Sequence, residues 1–564
     1  MSDFDVCVIG SGAGAGPVAL TLAEAGHSVV VLEKGPWFRE KDFFKDELTH
    51  SLRRVYKPKL QDEPQVLEDY SGRDENGNAI WKSQTNSESG RDFWAGNCVG
   101  GATNFMSGFF YRMKPEDFRL LAEFGSIAGA NIVDWPIGYE ELEPYYAKVE
   151  KEVGVSGRIV SHPFADHRST ADFPYPPTDE HFICRLFDVV SRAMKLHPLP
   201  TPRAILPYKA GDRRGCEYSG YCGDYGCATG AKGSSRAALL DRAVATGKCE
   251  IRPHAKVYRL VSDKKGKVKT AEYFDKTGAV QQISAKIFVV ACQAVETSRL
   301  LLSSTGPHHP KGLGNNHNQV GKNLIFSTGG SGMGEFSYEK MSPRTTDLLK
   351  RQGPFVNRGL QDWYIINDQK LGGRVKGGTL DFMMRHPNPI SRAKSEMWDW
   401  QSGKMVWGEP LKNKLESTFT RSRYLIFEVF ADWLPTDNCF VSLDPKVKDK
   451  WGTPVARIRT GYHDHALVVG EYLAKKGKEV LTKMGATNVN STITGDPPAN
   501  LAAGGCRFGN DPQNSVLNAD CRVHNVDNLY VTDGSFMPTG GSAPYTWTIY
   551  ANAFRVADKI IKNL

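Results

Sequence analysis

The stretch Gly10-Ser11-Gly12-Ala13-Gly14-Ala15-Gly16 decides the fold of this chain. An apolar, β-branched run over residues 5–9 predicts a strand directly before it, and the run 17–25 predicts a helix directly after it. A glycine-rich turn between strand and helix lets backbone N–H groups approach a pyrophosphate, which the positive end of the helix attracts. The small residues of this dinucleotide-binding pattern are Gly10, Gly12, Gly14 and Ala15. The sequence therefore predicts a Rossmann-type α/β domain.

Glu33 ends the second predicted strand, residues 28–32, and lies 23 residues after Gly10. An acid at this place accepts hydrogen bonds from the ribose hydroxyls of an adenosine. No arginine adjoins Glu33 to pair with a 2′-phosphate, so FAD or NAD is favoured over NADP.

Two further segments favour FAD over NAD. Residues 96–104 form a second glycine-rich loop of the kind that wraps a flavin, with candidate contacts at Asn97, Gly100, Gly101 and Asn104. Asp533 and Gly534 follow the predicted strand 529–532, where an acid can contact the ribityl or pyrophosphate part of FAD. We therefore predict FAD as the cofactor.

The predicted parallel strands lie far apart in the sequence, which indicates a discontinuous domain. Strand 287–292 runs into helix 294–303, and strand 529–532 precedes helix 546–561. The predicted FAD-binding domain comprises residues 1–114, 206–329 and 491–564. The remaining residues, 115–205 and 330–490, form the predicted substrate domain. It is expected to be α+β and built on an antiparallel sheet, because the runs 424–429, 439–443 and 455–459 resemble strands.

Composition excludes several classes of protein. The chain has 564 residues, of which 40% are hydrophobic, so it is not a disordered protein. Lysine and arginine exceed the acids by 71 to 63, but the basic runs are short and bordered by acids, so no nucleic-acid partner is expected. No apolar run approaches the roughly 18 residues of a membrane span. No signal peptide is expected either, which makes the cytoplasm the default location.

The order of five motifs resembles the glucose-methanol-choline (GMC) oxidoreductases, and in particular their bacterial sugar and sugar-acid dehydrogenases. The motifs are residues 10–16 with Glu33, 96–104, 291–297, 506–509 and 528–538. The resemblance implies an FAD domain with a substrate domain over the flavin. It also implies oxidation of a hydroxyl of a sugar, glycoside or polyol, with hydride passing to flavin N5.

Three of the eleven cysteines, Cys216, Cys222 and Cys227, fall within twelve residues. Thiolates are the standard ligands of iron–sulfur clusters, and three of them suit a [3Fe–4S] cluster. The resemblance implies that such a cluster passes electrons from FAD to a haem-bearing partner, and that a small accessory subunit can co-export the enzyme to the periplasm. The alternative is three reduced, structural cysteines.

The catalytic positions depart from the family pattern. The family's histidine matches Leu501, and a second histidine or asparagine matches Pro544; neither residue can take a proton. Tyr545 is one substitute, provided that its pKa falls below the usual value of about 10. A histidine of the substrate domain, His463 or His465, is another.

If the alignment slips by one residue, Asn500 faces the substrate and can orient a hydroxyl but not deprotonate it. A further alternative is that alcohol oxidation has been lost and that the flavoprotein acts on another bond or as an electron-transfer or binding subunit. The glycine-rich loops that would bind the flavin and the three clustered cysteines are intact. We therefore favour the interpretation that the protein is still a dehydrogenase.

Overall fold

The computed structural model describes residues 2–44, 47, 56–351, 357–399, 402–497 and 501–564. Along these ranges, every helix is too short or too polar to span a lipid bilayer. The α-helices are Gly16–Glu24, Asn86–Ser89, Leu120–Phe124, Tyr139–Val149, Ile183–Ala193, Asp241–Ala245, Ala294–Ser303, Pro343–Lys350, Pro389–Glu396, Glu409–Glu416, Asp464–Lys483 and Thr546–Ile561.

A parallel sheet forms the core of the first domain. Its parallel strands, in spatial order, are Cys249–Arg252, Val29–Leu32, Phe4–Ile9, Val280–Val290 and Leu529–Val531. The strands Val29–Leu32 and Leu529–Val531 are buried and apolar throughout, as a parallel sheet covered on both sides requires, whereas the edge strand Cys249–Arg252 exposes Glu250. The amino-terminal half of Val280–Val290 also pairs antiparallel with Val268–Phe274, which pairs with Lys256–Ser262. The predicted α/β fold with distant parallel strands is therefore confirmed.

A second, antiparallel sheet belongs to the substrate side of the molecule. Its strands, in spatial order, are Thr487–Ile493, Gly330–Ser337, Ser422–Asp432, Gly378–Met384, Arg358–Leu360 and Leu199–Pro200, with Ser327–Thr328 also paired to Ser422–Asp432. Side chains alternate along the central strand Ser422–Asp432. Leu425, Phe427 and Val429 pack in a core that includes residues of helix Asp464–Lys483, whereas Glu428 lines the cavity described below.

Two of the strands that were predicted for this sheet lie elsewhere. Cys439–Lys448 and Pro454–Thr460 pair with each other, and the second of them pairs in parallel with Val66–Arg73, which pairs with Ala79–Thr85. Arg457 and Arg459 each form an ion pair with Glu68 across this junction. The expectation of one sheet for all three runs was wrong, because alternation predicts a strand but not its partner.

Short strand pairs complete the described structure: Leu324–Ile325 with Ala503–Gly504, Ile365–Asp368 with Gly373–Lys376, and Trp398–Asp399 with Lys404–Met405. Strand Thr487–Ile493 crosses the predicted domain boundary at residue 490, since it pairs with Gly330–Ser337 of the substrate sheet.

Candidate active site

A cavity of about 690 Å³ lies where the parallel strands end, between the two sheets. The residues that follow four of these strands line it, namely Gly10, Glu33, Ala291 and Asp533. The antiparallel sheet contributes its opposite wall, including Ser331 and Glu428. The carboxyl edge of a parallel α/β sheet is the usual place for a ligand.

The first turn packs so tightly that two of its glycines have no room for a side chain. A Cβ placed on Gly14 would lie 2.5 Å from the carbonyl oxygen of Thr532, and one on Gly10 would lie 2.3 Å from that of Ala291. A Cβ on Gly12 would meet no protein atom within 4 Å, so this glycine faces open cavity. The turn is therefore fixed against the sheet while its middle stays accessible to a phosphate.

Glu33 is 7% exposed and lines the cavity. One carboxylate oxygen accepts a hydrogen bond from Ser11 Oγ at 2.5 Å, and the other accepts one from the Gly35 N–H at 2.8 Å. Burial raises the pKa of Glu33 despite these donors. Each oxygen keeps a further lone pair, which suits a ribose hydroxyl.

The residues predicted in the second glycine-rich loop have two different roles. Some of them line the cavity, and others hold the loop in its conformation. Asn97 and Gly101 line the cavity. The amide oxygen of Asn97 is buried and has no hydrogen-bond partner among the described residues, so a cofactor donor would satisfy it. Asn104 turns away, since its amide nitrogen donates to the carbonyls of Val99 at 2.9 Å and Gly101 at 3.2 Å. Asn104 therefore shapes the loop, and Gly100 and Ala15 likewise lie behind the cavity wall.

Asp533 and Gly534 also line the cavity. The carboxylate of Asp533 accepts hydrogen bonds from the backbone N–H groups of Ser535 at 2.8 Å and Gln293 at 3.2 Å. Burial raises its pKa. The glycine cradle, the ribose acceptor, the unpaired Asn97 oxygen and this acid, arranged along one long cavity, fit FAD.

Leu501, Pro544 and Tyr545 also line the cavity. We call the part of the wall formed by these residues and the antiparallel sheet the substrate end. The hydroxyl of Tyr545 is buried and has no hydrogen-bond partner in the part of the chain that is described. Burial raises its pKa well above 10, with a smaller contribution from Asp432. This shift is opposite to the one that a catalytic base needs, so the structure gives no support to Tyr545 as a proton acceptor.

The other predicted acid–base residues do not reach the cavity. His463 caps helix Asp464–Lys483, and its Nε2 lies 2.9 Å from the Ala128 carbonyl oxygen. Neither His463 nor His465 lines the cavity, so the structure does not bring these alternatives to Tyr545 into the site. Asn500 lies outside the described residues.

Several titratable residues that were not predicted also line the cavity, among them Asp224, His386 and Glu428. Burial, with Asp224 as the second cause, raises the pKa of Glu428 to about 7. Burial lowers the pKa of His386. The sequence carried one signal for Glu428, which is an acid inside the apolar, alternating strand run 424–429.

The three clustered cysteines line one small cavity of about 20 Å³, which has room for roughly one water molecule. Among the residues with described positions, no three histidine, cysteine or acidic side chains are placed to hold a metal ion. The structure therefore gathers Cys216, Cys222 and Cys227 but does not support an iron–sulfur cluster in this arrangement. Burial raises the pKa of Cys227, but Lys232 and Thr229 outweigh it and leave the pKa below its ordinary value.

Comparisons with known proteins identify the family. Models of the two parts of the GMC oxidoreductases match residues 206–327 and 435–553. A 2-methyl-1,2-propanediol dehydrogenase of Mycolicibacterium austroafricanum is 32% identical over 99% of this chain and 95% of its own length. The chain belongs to the GMC oxidoreductase family.

Other GMC relatives agree with this assignment. The gluconate 2-dehydrogenase flavoprotein of Pantoea cypripedii is 25% identical over the whole of this chain and 95% of its own length. The fold matches that of the pyridoxine 4-oxidase from Mesorbium loti with a TM-score of 0.60, over 99% of both chains at 15% identity. The sequence-based identification of an FAD-dependent oxidoreductase acting on CH–OH groups is thereby confirmed at the level of the family.

Proposed function

We propose that this GMC oxidoreductase oxidises a hydroxyl group of a sugar, glycoside or other polyol. Two buried hydroxyl groups on residues that line the cavity support this proposal. Tyr545 and Ser327 both line the cavity, and the Tyr545 hydroxyl and Ser327 Oγ are buried with no hydrogen-bond partner among the residues described. Unpaired buried hydroxyls are costly unless a ligand satisfies them. Two relatives are named for 2-methyl-1,2-propanediol and gluconate, which carry hydroxyl groups.

FAD, when bound, supplies the chemistry that accepts a hydride from the alcohol carbon. Tyr545 remains protonated because burial raises its pKa, so its O–H donates a hydrogen bond to the substrate oxygen. This donor orients the hydroxyl and holds the oxygen as it becomes a carbonyl. Oxidation also releases the hydroxyl proton, and the cavity-lining groups able to accept one include Asp224, His386 and Glu428.

Anaerobic reduction of the bound flavin tests the proposal. The holoenzyme is mixed with simple alcohols, polyols, glycosides and sugar acids, and the loss of flavin absorbance is followed. We expect at least one polyhydroxylated compound to bleach the flavin. If none does, the alternative of a flavoprotein that acts on another bond, or as an electron-transfer or binding subunit, takes precedence.

A second proposal concerns the route by which electrons leave. The cysteine loop adjoins the active site, since its residues Gly223 and Asp224 line the large cavity. Lys232 links the cysteine loop to the second glycine-rich loop, residues 96–104. It donates hydrogen bonds to the carbonyl oxygens of Cys222 and Asn104, each at 3.0 Å. From the three thiols within twelve residues, we infer that Cys216, Cys222 and Cys227 bind an iron–sulfur cluster that passes electrons to an external acceptor or partner subunit.

Metal analysis of anaerobically purified protein tests this second proposal. We expect about three irons per chain for a [3Fe–4S] cluster. Cys222→Ser should lower the iron content and slow transfer to an external one-electron acceptor, while flavin reduction by substrate stays nearly intact. Protein that contains no iron would leave the alternative of three reduced structural cysteines.

A further inference from the structure

Tyr545 reaches the cavity at the end of a short loop, residues 539–545, whose backbone has an unusual bend. Gly541 and Ser542 follow each other in the left-handed region, with φ of +73° and +50°. Glycine adopts this conformation freely, whereas a serine does so at a cost, because its Cβ crowds the carbonyl oxygen. The bend lies three residues before Tyr545, so the contacts that hold it also determine where the Tyr545 hydroxyl lies.

The carboxylate of Asp432 holds this bend. One of its oxygens accepts a hydrogen bond from Ser542 Oγ at 2.9 Å, and the other accepts one from the Ser542 N–H at 3.3 Å. Asp432 is 8% exposed and Ser542 is 2% exposed, so both bonds are shielded from water. A charged acceptor makes stronger hydrogen bonds than a neutral one. Two bonds from one carboxylate therefore stabilise a conformation that a serine backbone disfavours.

Other contacts hold the loop on either side of Ser542. Trp135 Nε1 donates a hydrogen bond to Thr539 Oγ1 at 2.8 Å, and the Tyr364 hydroxyl lies 2.8 Å from the carbonyl oxygen of Gly541. Helix Thr546–Ile561 begins directly after Tyr545. Asp432 thus acts at the bend between two anchored ends, where a change in the Ser542 backbone would move Tyr545.

Asp432 belongs to a different part of the molecule from the loop that it holds. It ends strand Ser422–Asp432 of the substrate sheet, and its register partner on the neighbouring strand is Ser327. Ser327 and Tyr545 carry the two cavity hydroxyls on which the proposed function rests. Asp432 also contributes, after burial, to the raised pKa of Tyr545, which places its charge near that hydroxyl. One carboxylate therefore connects the strand pair beside one hydroxyl to the loop that carries the other.

We propose that Asp432 is a positioning residue for the oxidation. It holds the Ser542 bend so that the Tyr545 hydroxyl stays directed at the substrate oxygen, although Asp432 itself does not line the cavity. This inference rests on the proposed function, in which Tyr545 donates a hydrogen bond to that oxygen. A donor displaced by about 1 Å loses much of its effect on the rate, while the substrate still binds through its other contacts.

A double-mutant cycle tests the inference on the holoenzyme, with the substrate that reduces the flavin fastest. Asp432→Ala should slow anaerobic flavin reduction by about tenfold, with little change in KM. In the Tyr545→Phe background the same substitution should change the rate by about twofold or less, because the hydroxyl that Asp432 positions is already absent.

Asp444→Ala is the matched control. Asp444 is 2% exposed, accepts hydrogen bonds from the backbone N–H groups of Lys446 and Val447 at 2.8 and 2.7 Å, and does not line the cavity. Its removal should lower stability but leave the rate of flavin reduction at the wild-type value.

Three further variants separate positioning from a general loss of stability. Asp432→Asn keeps one acceptor oxygen and should retain most of the rate. Ser542→Gly in the Asp432→Ala background should restore part of the lost rate, because glycine adopts the left-handed bend without help. If Asp432→Ala does not fold, Ser542→Ala, which loses the hydroxyl bond alone, should show the same coupling to Tyr545→Phe on a smaller scale.

Two outcomes would overturn the inference. One is an equal loss of rate in the wild-type and Tyr545→Phe backgrounds, and the other is a wild-type rate in Asp432→Ala. If no compound reduces the flavin, the proposed function fails, and the bend is measured alone by hydrogen–deuterium exchange. Faster exchange of residues 539–545 in Asp432→Ala, absent in Asp444→Ala, would still show that Asp432 holds the loop; unchanged exchange would refute this.

Discussion

At the nucleotide end of the cavity, Glu33 and Asp533 each receive hydrogen bonds from the protein, whereas at the substrate end Glu428 receives none from the residues that the structure describes. The first region is prepared for a ligand by backbone geometry, with glycines packed against neighbouring carbonyls. The second is prepared by side chains without partners among the described residues, including Tyr545 and Ser327. At the nucleotide end the two acids are already hydrogen-bonded and the Asn97 amide oxygen is left for the cofactor, whereas at the substrate end Glu428, Tyr545 and Ser327 are all left for the substrate.

We expect the largest effect on stability and FAD content from a substitution that adds a methyl group at the nucleotide end. Gly14→Ala places a Cβ against the backbone of Thr532 and Asp533. Because this backbone cannot move away without disturbing its neighbours, the protein should lose ~3 kcal/mol of stability and most of its FAD. Gly12→Ala meets no protein atom and should fold normally but retain less FAD, because the methyl group enters the space for the phosphate. Urea unfolding and flavin content check both variants. Equal stability of the two variants would contradict the packing argument.

Tyr545→Phe should affect the substrate end alone. Loss of a positioned donor to the substrate oxygen is expected to slow flavin reduction by about 10²-fold, with little change in KM or FAD content. Because the pKa of Tyr545 lies well above 10, the pH profile should keep its shape. Stopped-flow reduction with the best substrate measures the rate. A wild-type rate in the Phe variant would remove Tyr545 from the mechanism.

Glu33→Gln should have a smaller effect at the nucleotide end. The amide keeps the shape of the side chain but replaces one charged acceptor oxygen with a donor, so FAD affinity should fall about tenfold, equivalent to ~1.4 kcal/mol. Flavin titration of the apoprotein measures this affinity. Unchanged affinity would show that Glu33 serves the turn through Ser11 and Gly35 rather than the ribose.

Glu428→Gln should change stability in a way that depends on pH. The folded-state pKa of about 7 lies above the ordinary value of 4.5, so this acid lowers stability as pH rises from 4.5 to 7, and its cost is complete above pH 7. The variant should therefore be more stable than the wild type at pH 8 and nearly equal to it at pH 4.5. Urea unfolding without substrate at both pH values checks the sign. A gain of the same size at both pH values would mean that charge is not its cause.

Each element of the nucleotide end is encoded in one short segment, so local sequence patterns can indicate it. Residues 10–14 of the turn, Glu33 and Asp533 all line the cavity, and their contacts with FAD stay a prediction. Glycine was required at Gly10 and Gly14 by close backbone contact, which the spacing of the motif already implies. Ala15, Gly100 and Asn104 were harder to assign, since a motif shows which residues share a loop but not which of them face the ligand.

The substrate end depended on contacts between distant segments. Nothing in the sequence brings Asp224, His386 and Glu428 to one wall, because they come from a cysteine-rich loop and two parts of an antiparallel sheet. The pKa of Tyr545 was equally hidden, since it depends on how deeply the fold buries that hydroxyl. The placement of strands Cys439–Lys448 and Pro454–Thr460 in a separate sheet followed from pairing with residues 66–85.

The sequence by itself determined the family, the cofactor class and the parallel core, because these depend on local patterns that fold in the same way wherever they occur. Only the tertiary structure decided which polar groups of the active site remain unpaired. An unpaired group results from the positions of all its neighbours, and those neighbours come from segments hundreds of residues apart. The chemistry of the substrate end therefore depends on how the two sheets pack together and not on any single sequence motif.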